Sequence, residues 1–347
     1  MKNKKITLDK IGSVLKNIEL PNELVISGSI NSKEGQAIVV LVLTEEEKYG
    51  QLELVSGRMS KIRTGDFIAG VLGERKALEG IVGKIPKNVK PGKILNILNL
   101  GGVIGEALSW NKDVVSQPIK VKVLGSIVSE GKCLNIHNFS LKPETHLHIT
   151  IPVISVMGTA MGVGKTTVAS TLIHILAKKM GLKVAAVKLT GVATQKDILA
   201  MQDSGAVKTL TFHDVGLTST LNNHDAVVPA AKSILNSLGN ENPDLIVAEL
   251  GDGIIGWYGV DKLLKDKEFI KSLSFTILCA HDLVGAVGGA DMLKKLGAKV
   301  DFFAGPVTNN SAGTDYLEKI LRIPGEDLRE DSSKLVKALT KKGVLSS

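Results

Sequence analysis

A glycine-rich stretch, GTAMGVGKTT, occupies residues 158–167 and ends in a lysine and two threonines. It follows the apolar run HITIPVISVM, which is typical of a buried strand, and leads into KTTVASTLIHILAKKMG, which has the pattern of a helix with a glycine stop. Glycines at such a junction let backbone N–H groups converge on phosphate oxygens, and the helix N-terminus favours negative charge. The stretch therefore predicts a phosphate-binding loop, although a turn that only joins a strand to a helix has the same composition.

The residues of this loop have separate expected roles. Lys165 is expected to contact the β- and γ-phosphates of a nucleotide, and the Thr166 hydroxyl is expected to bind Mg²⁺. Five residues separate Gly158 from Gly164, one more than in the common phosphate-loop pattern. The predicted nucleotide-binding residues of the loop are Gly158, Thr159, Gly162, Val163, Gly164, Lys165, Thr166 and Thr167.

Charged residues also occur where predicted strands end and where a predicted helix begins. Lys188 lies near the end of LKVAAVKL, Asp197 opens the helical stretch DILAMQ, and Glu249 lies near the end of DLIVAEL. Mg²⁺ prefers hard oxygen ligands and keeps several waters, so Thr166, Asp197 and Glu249 are predicted to hold the metal. Lys165, Lys188 and Glu249 are the predicted catalytic residues, since lysines can stabilise charge on a transferred phosphoryl group. An aspartate that only caps a helix and a lysine that is only solvated are the alternatives.

The order of these residues resembles that of dethiobiotin synthetase-like P-loop NTPases, of the signal-recognition/MinD-like class, over residues 151–325. The loop, Lys188, Asp197 and Glu249 match landmarks of that family, and Asn309 in AGPVTN matches its adenine-binding asparagine. The resemblance implies ATP and Mg²⁺ as cofactors, with Asn309 contacting the base. It also implies a homodimer that places the substrate near the subunit boundary.

The sequence departs from dethiobiotin synthetase where that family holds its substrate. Met161 and Gly162 replace polar loop residues, and Val192 replaces a serine. Biotin synthesis therefore does not follow from the resemblance. Ala160 stands where MinD-like loops carry a lysine, which argues against a dimer-activated partitioning ATPase. The sequence has no Asn-Lys-x-Asp guanine motif, so ATP is favoured over GTP.

The resemblance implies an enzyme that transfers the γ-phosphoryl group of ATP to a small-molecule carboxylate or a similar oxyanion, as a ligase or a kinase does. Two other functions remain open at this point. One is a regulatory or binding ATPase whose nucleotide gates contact with a macromolecule. The other is a P-loop-derived acyltransferase, in which the loop would hold the phosphates of a coenzyme.

These residues require a scaffold that brings strand ends together. From residue 147 the sequence alternates apolar runs with helical stretches, which predicts a doubly wound α/β domain with a mostly parallel sheet over 147–325. Ligands of such folds bind at the carboxyl ends of the strands. Residues 1–142 contain short β-rich runs between glycines, typical of a small all-β barrel or sandwich, with a short helix predicted over 5–18. The tail, 326–347, is predicted to form a surface helix.

Composition restricts the partners. The 347 residues carry a net charge of +8, but the basic residues are scattered as on a solvated face, and aromatic residues make up only 3%. We therefore expect no nucleic-acid binding and a small anionic substrate instead. There is no uncharged run of the ~20 residues that cross a bilayer, and the N-terminus does not resemble a signal peptide. The sequence contains two cysteines, too few for a disulfide framework, as is usual in a reducing cytosol. We therefore expect a cytoplasmic protein with no membrane partner.

Overall fold

A computed structural model of the protein describes residues 4–221 and 224–345. The chain divides into two compact units. Unit 1 comprises Met1–Leu141, Val192–Lys196 and His213–Leu221, and unit 2 comprises Lys142–Gly191, Asp197–Phe212 and Asn222–Ser347. In the described part of the chain, none of the helices is long and apolar enough to cross a bilayer.

The regular elements of unit 1 are almost all strands. They are β1 (Lys4–Thr7), β2 (Lys10–Ile11), β3 (Glu23–Ser27), β4 (Ala37–Val42), β5 (Gln51–Glu53), β6 (Met59–Lys61), β7 (Phe67–Leu72), β8 (Arg75–Lys76), β9 (Ile81–Lys84), β10 (Ile94–Ile97), β11 (Val103–Trp110), β12 (Lys120–Ser129) and β13 (Lys132–Cys133). Short 3₁₀ helices cover Ser13–Leu15 and Ile136–Phe139.

Five of these strands close into a barrel. Around the ring, β4 pairs with β7, β7 with β11, β11 with β10, β10 with β12, and β12 again with β4. Aliphatic side chains that include Ile38, Val40, Ile68, Ile104 and Val123 are buried together in one cluster. Closure removes the exposed sheet edges of the ring strands. The predicted small all-β barrel is confirmed.

The N-terminal segment differs from its prediction. Residues 5–18 do not form a helix, since β1 pairs with β3, β2 pairs with β7, and only Ser13–Leu15 make a short 3₁₀ turn. A Cβ atom at Gly12 would lie 2.6 Å from the Gly101 carbonyl oxygen, so the backbone packs tightly here. The prediction of a helix was wrong because strand partners distant in sequence outweigh local spacing.

The other elements follow a strand–helix alternation. They are β14 (Val153–Gly158), α1 (Lys165–His174), β15 (Val184–Thr190), α2 (Lys196–Asp203), β16 (Lys208–Thr211), α3 (His224–Gly239), β17 (Leu245–Leu250), α4 (Val260–Leu263), α5 (Lys267–Ser272), β18 (Leu273–Cys279), α6 (Leu283–Lys295), β19 (Phe302–Ala304), α7 (Ser311–Tyr316) and α8 (Ser333–Lys341).

Six strands of unit 2 form one sheet in the order β16-β15-β17-β14-β18-β19, and every pairing is parallel. The first strand, β14, lies between β17 and β18, while β15 lies on the far side of β17. The loop that follows β14 therefore begins at the carboxyl edge of the sheet, beside the ends of β17 and β18. The predicted doubly wound α/β fold is confirmed, with a fully parallel sheet.

The C-terminal tail contains the predicted helix, α8 (Ser333–Lys341), with an exposed polar side, but the other side of this helix is packed into the core of unit 2. Leu335 and Leu339, one turn apart on α8, are fully buried and belong to the same apolar cluster as Leu172 and Leu176. The polar face of α8 dominates its sequence, which is why residues 326–347 were predicted as surface. The helix instead contributes two side chains at i, i+4 spacing to the core.

Candidate nucleotide site

The glycine-rich loop has a backbone conformation that requires glycine. Gly162 and Gly164 have φ angles of +72° and +84°, in the left-handed region that other residues rarely adopt. A Cβ atom at Gly158, where β14 ends, would lie 2.7 Å from Val163 Cγ2 and 2.8 Å from Lys165 Cδ. The loop therefore folds back over its own first residue, and α1 begins at Lys165 with its N-terminus at the loop.

Lys165 is folded into the loop. Its side chain is buried, and its Nζ donates a hydrogen bond of 2.7 Å to the carbonyl oxygen of Ala160. Burial lowers the pKa of Lys165, while the Glu249 and Asp252 carboxylates act in the opposite direction. Asp252 is an additional acidic residue that the sequence analysis did not single out, although it lies in the GDG stretch directly after β17.

The predicted metal ligands meet at the first turn of α1. Thr166 Oγ1 lies 3.0 Å from Glu249 Oε1 and 3.4 Å from Asp197 Oδ1. Lys188 forms an ion pair with Asp197 through its Nζ and the Asp197 Oδ2 atom. The sheet register explains the convergence, since Lys188 on β15 is the direct neighbour of Glu249 on β17. The structure thus brings Glu249 beside Lys188 and Asp197, which precede it by 61 and 52 residues in the sequence.

Glu249 has an unusual environment for a carboxylate. The residue is 1% exposed, and its Oε2 atom has no hydrogen-bond partner among the described residues. Burial raises the pKa of Glu249, against the opposing effect of the Lys188 ammonium group. A buried carboxylate oxygen without a partner is costly, so a ligand that satisfies it would gain binding free energy.

This donor set fits Mg²⁺. Thr166, Asp197 and Glu249 offer one hydroxyl and two carboxylates, all hard oxygen donors, and the unpartnered Glu249 oxygen has coordination capacity left. Within residues 4–221 and 224–345, no cluster of three or more His, Cys, Asp or Glu side chains could hold a metal by itself. A magnesium ion here would therefore depend on phosphate or water oxygens for its remaining ligands, as is usual for this ion.

Two predicted loop residues lie against the protein interior. The Thr159 backbone N–H donates to the carbonyl oxygen of Cys279 at 3.0 Å, and its side chain lies near Gly285 and Gly289 of α6. Val163 is 1% exposed and belongs to the apolar cluster of unit 2. The Thr159 backbone N–H is therefore already used within unit 2, and Val163 can offer a phosphate its backbone N–H but not its side chain.

A cavity of about 130 Å³ lies beside the loop. Its wall is formed by Gly162, Gly164, Thr167, Val168, Thr171, Gly305, Pro306, Asn309, Asp327, Leu328 and Arg329. Asn309 and residues of the glycine-rich loop therefore line one cavity, and a contact between Asn309 and a base stays a prediction. The sequence analysis missed Asp327 and Arg329, because they lie in the tail that was predicted as a surface helix.

Comparisons with known proteins detect resemblance in part of the fold. Chloroplast FtsY from Physcomitrella patens is 19% identical over 58% of this chain and 68% of its own, with a TM-score of 0.38. The signal recognition particle receptor FtsY from Elizabethkingia anophelis is 17% identical over 60% of this chain and 75% of its own, with a TM-score of 0.38. A DUF1611 family protein from Anabaena variabilis is 14% identical over 58% of this chain and 63% of its own, with a TM-score of 0.39.

No protein-family model and no curated protein matches the chain. At these identities and TM-scores the similar structures do not assign the chain to a family, and the resemblance to dethiobiotin synthetase stays a prediction. The interpretation of the site therefore depends on its own residues and their geometry.

Proposed function

We propose that the protein is a Mg²⁺- and ATP-dependent enzyme that transfers the γ-phosphoryl group to a carboxylate or similar oxyanion of a small molecule. The observation that carries this proposal is the cluster of Lys188, Asp197 and Glu249 around Thr166, at the end of a glycine loop that also holds Lys165. Two lysines and two carboxylates at one loop combine charge for a phosphoryl group with oxygen ligands for a metal.

Each side chain of the site has a proposed role in this reaction. An acceptor oxygen attacks the γ-phosphorus and forms a P–O bond, while the bond to the β-phosphate oxygen breaks and ADP leaves with the electron pair. Lys165 leaves its bond to the Ala160 carbonyl oxygen to contact the β- and γ-phosphates, and Lys188 stabilises negative charge on the transferring group. Thr166, Asp197 and Glu249 would hold Mg²⁺, which neutralises charge on the phosphates.

ATP is the proposed nucleotide, in keeping with Asn309 in the cavity beside the loop and with the lack of a guanine motif in the sequence. We further propose a small anionic substrate, a homodimer, as the family resemblance implies, and a cytoplasmic location. Sedimentation equilibrium at micromolar concentration tests the dimer, and a monomer would exclude it. Fractionation of cells tests the location, and recovery with membranes would exclude it.

The test is a trapping experiment with a matched variant. Purified protein is incubated with Mg²⁺, ATP and a panel of small carboxylates in the presence of hydroxylamine, which converts an acyl phosphate to a hydroxamate. We expect ADP and hydroxamate in equal amounts with one carboxylate. Lys165→Ala should lose about 10²-fold or more of this turnover, whereas Lys179→Ala, at an exposed lysine in the π-helical turn Ile175–Lys179 that follows α1, should retain it.

Three results would overturn the proposal. They are turnover that Lys165→Ala leaves intact, ATP hydrolysis stimulated only by another protein, and acyl transfer from a coenzyme without ADP release. The second result would indicate a regulatory ATPase, and the third would indicate an acyltransferase.

A further inference from the structure

The cavity beside the phosphate loop contains an arginine that the proposed phosphoryl transfer does not use. Arg329 Nε lies 2.8 Å from Asp327 Oδ1, and Arg329 Nη2 lies 2.5 Å from Asp327 Oδ2. The same Nη2 atom lies 2.9 Å from Asn309 Oδ1. One guanidinium group therefore joins an amide and a carboxylate that both line the cavity.

This contact fixes the orientation of the Asn309 amide. A guanidinium nitrogen can only donate hydrogen bonds, so the Asn309 atom that it meets must be the amide oxygen. The Nδ2 group of Asn309 is then the donor that this side chain offers a ligand. The neighbouring Asn310, and not Asn309, caps α7, since its Oδ1 accepts from the Ala312 backbone N–H at 3.0 Å. Asn309 closes the 3₁₀ turn Pro306–Thr308 through its backbone N–H, which donates to the Pro306 carbonyl oxygen, so capping does not account for its side chain.

Asp327 supplies the complementary acceptor. Its side chain is 13% exposed, and hydrogen bonds from Arg329 lower the pKa of its carboxyl. An ionised carboxylate accepts hydrogen bonds only, and each of its oxygens has capacity for more than one. The cavity wall thus presents a donor on Asn309 and an acceptor on Asp327, and both are hydrogen-bonded to one arginine.

We propose that Arg329 is a positioning residue for purine recognition, holding Asn309 Nδ2 to donate to a ring nitrogen of adenine and the Asp327 carboxylate to accept from the 6-amino group. Adenine presents this combination along one edge, with the 6-amino donor next to the N7 acceptor. Guanine presents two acceptors there, N7 and O6, and O6 would face the carboxylate. The inference rests on the proposed function, because it places a nucleotide base in this cavity.

The experiment measures which base atoms the protein reads. Dissociation constants are determined with Mg²⁺ for ATP, GTP and purine riboside triphosphate, which lacks the 6-amino group, and for inorganic tripolyphosphate. The proteins are wild type, Arg329→Ala, Asp327→Ala and, as a matched control, Lys337→Ala, which removes an exposed basic residue from α8. Arg329 is 60% exposed, so its removal should leave the thermal midpoint almost unchanged.

We expect wild type and Lys337→Ala to bind ATP about 10-fold or more tighter than purine riboside triphosphate and GTP, as for one well-formed hydrogen bond to a charged group. Asp327→Ala should erase the preference for the 6-amino group. Arg329→Ala should reduce both preferences while leaving tripolyphosphate affinity unchanged, which a general loss of structure would not do.

Three other outcomes would each contradict a different part of the inference. If nucleotides bind to wild type but Arg329→Ala keeps the full preference for ATP, Arg329 does not position the base contacts. Tighter binding of GTP than of ATP by wild type would assign Asp327 to the N–H edge of guanine instead. If neither nucleotides nor tripolyphosphate bind to wild type, the proposed function itself fails, and the inference fails with it.

Discussion

At the residue scale, Glu249 combines an electrostatic cost with a proposed role. Burial raises the pKa of this carboxyl, and its Oε2 atom has no hydrogen-bond partner among the described residues. A metal ligand must be deprotonated, so bound Mg²⁺ would compensate for the charged form that burial disfavours. Buried ionisable groups with shifted pKa values are common at functional sites.

Glu249→Gln is expected to separate the cost of burying this carboxylate from its proposed role as a metal ligand. The amide removes an anionic ligand, so ATP turnover should require about 10-fold or more Mg²⁺, as for loss of one charged ligand in a hard-cation site. Without nucleotide, the thermal midpoint should stay equal or rise, because a neutral amide is cheaper to bury than a carboxylate. Glu241→Gln, at an exposed position, is the control. An unchanged Mg²⁺ titration for Glu249→Gln would remove this residue from the metal site.

Sequence alone could single out the charged residues around Thr166 but not all of the residues that line the cavity beside Asn309. Lys188 and Glu249 stand near the ends of long apolar runs, and parallel strands bring such positions to one edge. Asp327 and Arg329 follow no strand and belong to no motif. Their proximity to Asn309 depends on the chain folding back after α7, which local patterns do not encode.

At the element scale, the sequence of α8 does not indicate how deeply this short helix is packed. The sequence SKLVKALTK has two leucines among polar residues, which is typical of a helix that lies on a surface. The fold places both leucines in the core cluster that also contains side chains of α1 and of the sheet, together with Val163 of the glycine-rich loop. Helix polarity could be predicted, but the depth of burial depends on tertiary contacts.

Leu339→Ala should therefore destabilise the protein far more than a surface substitution. The side chain is fully buried, and removing it leaves a cavity, so we expect a loss of about 2–5 kcal/mol in the free energy of unfolding. Lys337→Ala, two residues earlier and exposed, should change stability by less than about 0.5 kcal/mol. Urea denaturation of the two variants measures the difference. Equal stability of both would mean that α8 does not contribute to the core.

At the scale of the whole molecule, the chain does not divide into units as consecutive blocks. The segments Val192–Lys196 and His213–Leu221 belong to unit 1, although both lie inside the range predicted as the α/β domain. The Asn99 side chain, for example, donates a 2.8 Å hydrogen bond to the Ala193 carbonyl oxygen. Single polar contacts across almost a hundred residues leave no periodic signal, so the sequence could not predict them.

His213 is expected to make one of these segments, His213–Leu221, sensitive to acid. The imidazole is 2% exposed, and its Nδ1 lies 3.2 Å from the Leu217 carbonyl oxygen. Burial, followed by the positive charge of Lys16, lowers the pKa of His213 from 6.5 to about 4. The native structure therefore holds this histidine in its neutral form.

The lowered pKa of His213 determines how stability changes with pH. Because the pKa is lower in the folded protein than in the unfolded chain, His213 costs no stability above pH 6.5, and the penalty grows as the pH falls from 6.5 towards 4. A shift of this size corresponds to about 3 kcal/mol, at about 1.4 kcal/mol per pH unit.

His213→Asn keeps an N–H donor for Leu217 but does not titrate. Between pH 7.5 and pH 4 its free energy of unfolding should therefore fall by about 3 kcal/mol less than that of wild type. Urea denaturation of wild type, His213→Asn and the exposed-site control His174→Asn at both pH values gives the comparison, in which carboxyl groups common to all three cancel. If wild type and His213→Asn lose stability in parallel, protonation of the buried imidazole is not what destabilises the fold in acid.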